Sequence, residues 1–246
     1  MEIKDKVVLI TGSKRIGSVV AVHLAERGAN VALTFNRSRS EADQAVGAIR
    51  SQGRRVSALQ VDLTKEAEIQ ALVQHVVQEL GGIDILINMA SIYRSKPFLE
   101  TTVSDWQGNI DSNLKSAYLC AKSVVSSMQV RGGGRIINFA DWVAASGRPR
   151  YRGFVEYYTS KAGVIGLTES LALELAFDGI LVNAIAPGPI LAPPDLTAEE
   201  DLEVRKATPL GRWGGEIEIA KAVAFLIETD FVTGECLRVD GGRHLS

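Results

Sequence analysis

The sequence predicts an α/β protein built on one doubly wound, parallel sheet of about seven strands with helices on both faces. Three observations predict it. Seven short apolar runs rich in β-branched residues recur along the chain, and continuous apolar runs of this length suit strands buried on both faces. Longer segments between them repeat apolar residues at helical spacing, so strand and helix alternate as parallel crossovers require. No Ser- or Pro-rich linker, charge block or internal repeat divides the 246 residues, so residues 1–246 are expected to form one domain.

The elements follow in order. Val7–Ile10 is the first strand, and it runs through T-G-S-K-R-I-G at 11–17 into a helix pattern from Ile16 to Arg27. Val31–Phe35 is the second strand, ending in T-F-N-R-S, and Val56–Val61 is the third. Ile69, Leu72, Val73, Val76, Val77 and Leu80 mark one apolar face of a helix, with Gln and Glu opposite. Ile83–Ile87 and Arg135–Phe139 are the fourth and fifth strands. A helix carrying Tyr157 and Lys161 runs to about Phe177, followed by strands Leu181–Ile185 and Cys236–Val239. Only 187–215 breaks the rhythm, with P-G-P-I-L-A-P-P followed by the acidic T-A-E-E-D-L-E-V-R-K. A long irregular insertion in a compact domain is usually a binding loop, so a substrate lid is expected within about 189–215.

Charge and composition remove several classes of function. Lys and Arg number 27 against 29 Asp and Glu, a net charge of −2, which offers no electrostatic footprint for nucleic acid or an anionic membrane. The longest uncharged run, 16 residues between Asp178 and Asp195, contains Pro187, Pro189, Pro193 and Pro194 and is unsuited to a spanning helix. The apolar run near the start is too short for a signal peptide. The two cysteines, Cys120 and Cys236, form no C-x-x-C pair, and His23, His75 and His244 are scattered. A cytoplasmic protein without a metal is therefore expected.

Two segments carry chemistry. In the turn at 11–17, Gly12 and Gly17 let the backbone approach a pyrophosphate, and the helix that follows offers N–H groups and a positive dipole end. Lys14, Arg15 and Ile16 lie in the same turn. At the end of the second strand stand Asn36, Arg37 and Ser38, where an arginine accommodates the 2′-phosphate of NADP and an acid would bind the 2′-hydroxyl of NAD. NADPH is the expected cofactor. Tyr157 and Lys161 stand four apart on one helix face, so an ammonium is expected to bring a phenol of ordinary pKa near 10 down toward the working range. Tyr158 is offset and cannot share the lysine in this way.

Together with I-L-I-N-M-A-S at 85–91, Asn113 in N-L-K-S, A-P-G-P-I at 186–190 and V-D-G-G at 239–242, these segments resemble the short-chain dehydrogenase/reductase family, whose sheet is of the Rossmann type. The resemblance covers nearly the whole chain. It implies Tyr157 as general acid, Lys161 as the ribose-binding residue that tunes it, and Asn113 as the residue holding a proton-relay water. Asp62, Leu63, Asn88 and Ala90 match adenosine-side positions, while Pro187, Gly188 and Ile190 match the segment beside the nicotinamide.

Departures from the family pattern point further. The usual T-G-x-x-x-G-x-G is one residue short with Arg15 at the middle glycine, and the second Asn of the N-N-A-G motif is Met89. Asp141 stands where the catalytic serine is usual. Arg15, Ser91, Tyr93 and Asp141 are similar to the pteridine reductase branch, which implies a flat substrate stacked by Tyr93, hydrogen-bonded by Arg15 and Ser91, and served by Asp141 and Tyr157. Hydride transfer to a C=N or C=O bond of a pterin-like compound is the leading expectation. The alternatives are a 3-oxoacyl-carrier-protein reductase, a broad carbonyl reductase, or a non-catalytic NADP-binding protein. Asp141 could also simply cap the turn after the fifth strand. The segment between Asp141 and Tyr157 is about three residues longer than in most relatives, and Trp142 and Trp213 stand where they could touch substrate. The family resemblance also implies a homotetramer.

Overall fold

A computed structural model describes all residues, 1–246. Its seven strands are β1 Val7–Thr11, β2 Asn30–Phe35, β3 Val56–Gln60, β4 Ile85–Asn88, β5 Gly134–Phe139, β6 Ile180–Pro187 and β7 Cys236–Val239. They form one sheet in the order β3-β2-β1-β4-β5-β6-β7, every pair parallel. The helices are α1 Ile16–Glu26, α2 Arg39–Ser51, α3 Glu66–Leu80, α4 Val103–Asn109, α5 Ser116–Val130, α6 Trp142–Ala145, α7 Val155–Leu175, α8 Ala198–Lys206 and α9 Glu216–Glu228. No helix is long and apolar enough to cross a membrane.

Side chains alternate across the sheet as strand geometry demands. Val8 and Ile10 of β1 face one core with Leu24, Ile85, Ile219 and Val223, while Val7 and Leu9 face the other with Leu72, Leu86, Val124 and Met128. Both faces are covered, which is why the strands read as continuous apolar runs. Truncating a fully buried residue such as Leu86 to Ala should cost about 2–5 kcal/mol.

Three local features depart from the sequence reading. β4 starts at Ile85, not at Ile83, because Asp84 faces inward and its carboxylate accepts from Val7 N at 2.8 Å and Arg131 Nε at 2.6 Å. The acidic stretch in 187–215 is not irregular throughout but forms α8, capped where Thr197 Oγ1 accepts from Glu200 N and Glu200 Oε2 accepts from Thr197 N. Between α4 and α5 the helix widens into a π turn at Ile110–Lys115.

The chain order reverses between β1 and β4, and the crevice beyond the carboxyl ends of the strands at such a switch is where open α/β sheets bind ligands. Thr11 Oγ1 accepts from Met89 N at 3.1 Å and Ala90 N at 3.3 Å. These bonds fasten the two strand ends together at the mouth of the crevice.

Candidate active site

The crevice opens into a cavity of about 1250 Å³. At its base lies the 11–17 turn. Gly12 has φ +84°, and a Cβ there would meet the Ala90 backbone at 3.2 Å; a Cβ on Gly17 would lie 2.0 Å from the Gly12 carbonyl oxygen. Only glycine permits the turn to fold this tightly. Arg15 holds φ +54° without being glycine, the local consequence of the shortened turn, and its Nη2 donates to Ala192 O at 3.2 Å.

Nearly every residue expected from the sequence lines this one cavity: Gly12 through Gly17 at one end, Asn36, Arg37, Ser38, Asp62 and Leu63 along it, and Ala90, Ser91, Tyr93, Asp141, Tyr157, Lys161, Pro187, Gly188 and Ile190 toward the other. A dinucleotide fits these residues. The glycine turn leaves bare backbone, and the buried Ser13 Oγ of the cavity lining has no protein partner. Arg37 makes no ion pair, and the Thr64 hydroxyl and N–H hold the Asp62 carboxyl below the usual carboxylate range. Gly188 abuts the strand-end turn, where a Cβ would fall 2.5 Å from Asp240 Cβ.

Asn88 and Asn113 are set back from the cavity wall. Asn88 Nδ2 donates to Asn138 Oδ1 at 2.9 Å, and Asn138 Nδ2 donates to Thr168 Oγ1 at 3.0 Å. This buried relay joins β4, β5 and α7, and the sequence reading missed Asn138 and Thr168 because polar residues inside apolar runs carry no periodic signal. Asn113 sits in the π turn, which turns its amide inward. Its Oδ1 accepts from Ile92 N at 2.8 Å and Ser91 Oγ at 3.2 Å, and its Nδ2 donates to Ile92 O at 3.1 Å and Ser160 Oγ at 3.0 Å. The side chain is fully engaged by protein groups, so it pins the 91–92 backbone to α7.

α7 begins just before Tyr157 and brings it over the end of β5. The Tyr157 hydroxyl donates to Asp141 Oδ2 at 2.9 Å, while Asp141 Oδ1 accepts from Val143 N at 2.8 Å and caps α6. One Asp141 oxygen thus caps the turn, as one of the two readings has it, and the other faces the Tyr157 hydroxyl. Lys161 is buried, its Nζ 5.8 Å from the Tyr157 ring centroid and donating to Phe139 O at 2.7 Å.

Burial and charge decide the protonation states. Burial, followed by the Asp141 charge, pushes the Tyr157 phenol up from its ordinary value. This corrects the expectation of a phenol lowered by Lys161: the carboxylate is bonded to the hydroxyl, and its field reinforces the loss of water. Burial also raises the Asp141 carboxyl, opposed by the Val143 N–H, the Tyr157 hydroxyl and the Lys161 charge. Lys161 is pushed down by burial to about 8, partly offset by Asp141. At neutral pH the site holds a protonated phenol beside a buried ammonium.

A family model described as "Enoyl-(Acyl carrier protein) reductase" matches residues 11–244. The chain is 36% identical to a 3-oxoacyl-[acyl-carrier-protein] reductase of Staphylococcus epidermidis over 98% of this chain and 100% of that one. To the enzyme of the same name from Vibrio cholerae it is 38% identical over the whole of both chains. Among solved structures it is similar to a 7α-hydroxysteroid dehydrogenase complexed with NADH and 7-oxo glycochenodeoxycholic acid, with a TM-score of 0.92 and 31% identity over 98% of this chain and 95% of that one.

Proposed function

The chain belongs to the short-chain dehydrogenase/reductase family, an oxidoreductase family that binds a nicotinamide cofactor, and from that premise we propose that it is an NADPH-dependent reductase of carbonyl compounds. The observation that carries this reading is the Tyr157–Asp141 hydrogen bond beside buried Lys161, at one end of the cavity whose other end is the glycine turn. The names of the relatives support a ketone substrate over a pterin. So does the engagement of two residues expected to hold a pterin, since Arg15 donates to Ala192 O and Ser91 to Asn113. One observation favours the pterin as second reading: the Tyr93 ring stands edge-on to Tyr157 at 4.7 Å, where it could cover a flat substrate.

The 11–17 turn, Asp62, Leu63, Ala90 and the 187–190 segment would hold the dinucleotide, with Arg37 and Ser38 at its 2′-phosphate. When bound, NADPH supplies a hydride to the carbonyl carbon. Tyr157 supplies the proton: its phenol, kept protonated by burial, transfers its hydrogen bond from Asp141 to the substrate oxygen and gives up the proton as negative charge grows there. The Lys161 ammonium stabilises the phenolate left behind. An ionised Asp141 only accepts hydrogen bonds, whereas its protonated form donates one to the oxygen as a serine would.

Segment 189–215 would cover the substrate, α8 being tied to Trp213 by the indole N–H donating to Asp201 Oδ1 at 2.7 Å. A homotetramer would bury Leu173 and Phe177 at the end of α7, which are 81% and 104% exposed in the single chain, and light scattering at several concentrations tests it. The function itself is tested by NADPH consumption against acetoacetyl thioesters, diketones, dihydropterins and quinonoid pterins. Turnover of the first two groups is expected. Consumption with pterins alone, or with none, would overturn the reading.

A further inference from the structure

The substrate end of the cavity narrows the substrate class, an inference that rests on the carbonyl-reductase reading. Five aromatic rings make an unbroken chain of contacts there. Trp142 stands edge-on to Tyr151 at 6.4 Å, Tyr151 edge-on to Phe154 at 6.4 Å, Phe154 stacks on Tyr93 at 4.6 Å, and Tyr93 meets Tyr157. Asp141, bonded to Tyr157 and next to Trp142 in the chain, closes the circle.

Two cations rest on the Trp142 ring, the guanidinium carbons of Arg150 and Arg243 lying 5.8 and 5.6 Å from its centroid. They come from different parts of the chain, the loop before α7 and the turn after β7, and both line the cavity. Neither is among the residues that form ion pairs. Arg150 Nη1 donates to Ser246 O, and the Arg243 side chain makes no hydrogen bond. The neighbouring carboxylates are engaged elsewhere: Asp240 accepts from Gly242 N, His244 N and the His244 ring, and Asp141 from Val143 N and Tyr157. Arg243 has no polar partner and Arg150 holds only an oxygen of the terminal residue Ser246, so two like charges gathered on one aromatic face form a site for an anion, and the rings hold the guanidinium planes in place.

The geometry points to a substrate that is a small ketone carrying both a flat ring and a carboxylate, the ring lying among Tyr93, Phe154 and Tyr151 and the carboxylate held by Arg150 and Arg243. Because the guanidiniums line the cavity and rest on Trp142, the residue that follows Asp141, an acid group on the substrate itself reaches them better than the acidic surface of a carrier protein.

Titration calorimetry of the NADP⁺-saturated protein with 2-naphthoate and with uncharged 2-naphthamide tests the site without turnover. The carboxylate should bind roughly ten- to a hundred-fold more tightly, the range of one or two charge-assisted hydrogen bonds. Arg243→Gln and Arg150→Gln should each remove most of that preference, whereas Arg152→Gln, outside the cavity lining, should keep it. Equal binding of acid and amide by the unaltered protein, or the same loss in Arg152→Gln, would overturn the inference. A parallel kinetic arm compares an aryl 2-oxo acid, its methyl ester and a 3-oxoacyl thioester on a carrier protein. A higher kcat/KM for the acid is expected. Turnover of the carrier-bound thioester alone, lowered by the arginine variants, would assign the cations to a carrier and overturn the proposal. Tight naphthoate binding with no turnover of any ketone would instead refute the reductase reading while leaving the anion site standing.

Discussion

Lys161 is the residue whose replacement separates function from stability most sharply. Its Nζ is buried, donates to Phe139 O and titrates at about 8 in place of 10.5. At about 1.4 kcal/mol per tenfold, that drop corresponds to roughly 3 kcal/mol by which burying the ammonium opposes folding at neutral pH. Lys161→Met keeps the length of the side chain and removes the charge. It also leaves Phe139 O without this donor, a loss of about 1 kcal/mol, so the variant should be more stable than the parent by about 2 kcal/mol. For a chain of this size that is roughly 4–8 °C in Tm. The pH dependence fixes the cause. A lysine with a depressed folded pKa is charged in both states below about 8 and carries the full cost there. From about 8 to 10.5 the unfolded chain binds the extra proton, so the parent gains stability as pH rises and the gap to Lys161→Met closes. Urea unfolding of both proteins without nucleotide, between pH 7 and 10, measures this directly. A variant less stable than the parent at pH 7, with a difference that does not move with pH, would refute the argument.

The remaining expectations concern the site. Tyr157→Phe should lose about two to four decades in kcat while still binding NADPH, judged by fluorescence of the nucleotide, because a proton donor is removed and the cofactor contacts are not; Tyr158→Phe, whose hydroxyl makes no hydrogen bond in the protein, should remain active. Arg37→Ala should lower the preference for NADPH over NADH by about one to two decades in kcat/KM, the worth of a charge-assisted contact, and an unchanged ratio would remove Arg37 from that role. Asp141→Ser restores a hydroxyl donor and removes the charge that adds to burial in holding the Tyr157 phenol up. Ketone turnover should be kept or raised, and the alkaline limb of its pH profile due to the phenol should move to lower pH.

What could be read in the chain was whatever rests on local pattern. The strands were legible because both faces of the sheet are covered, and the turn at 11–17 because glycine is the only residue that closes it. That Tyr157 and Lys161 share one helix face followed from spacing alone. Helix α8 buries none of its residues, so it lacks the apolar stripe that betrays a helix; only the T-x-x-E cap at 197–200 marks it. The direction of the Tyr157 shift was misread for a related reason. Lys161 is four residues away and visible, whereas Asp141 lies sixteen residues upstream, and only the fold carries its carboxylate to the hydroxyl. The same holds for Asn113, whose position follows from the family likeness but whose four hydrogen bonds depend on a widened turn that no residue type announces.

That widened turn makes the helix through residues 103–130 behave as a vernier. An ordinary α-helix advances about 100° per residue, and the surplus at 110–115 lets the stretch before Asn113 and the stretch after it keep separate angular settings. The widened turn holds one residue more than the regular turn it replaces, so deleting a single residue, Ser112 for example, would let the helix relax into regular winding with both stretches near their present settings and would remove the bulge that carries Asn113. The amide of Asn113 would leave Ile92 and Ser160 although neither partner had been altered. Length, and not only identity, is thus under constraint there: most substitutions at exposed sites of this helix should be tolerated, and a one-residue deletion should disconnect the 91–92 segment from α7 while both helical stretches remain helical.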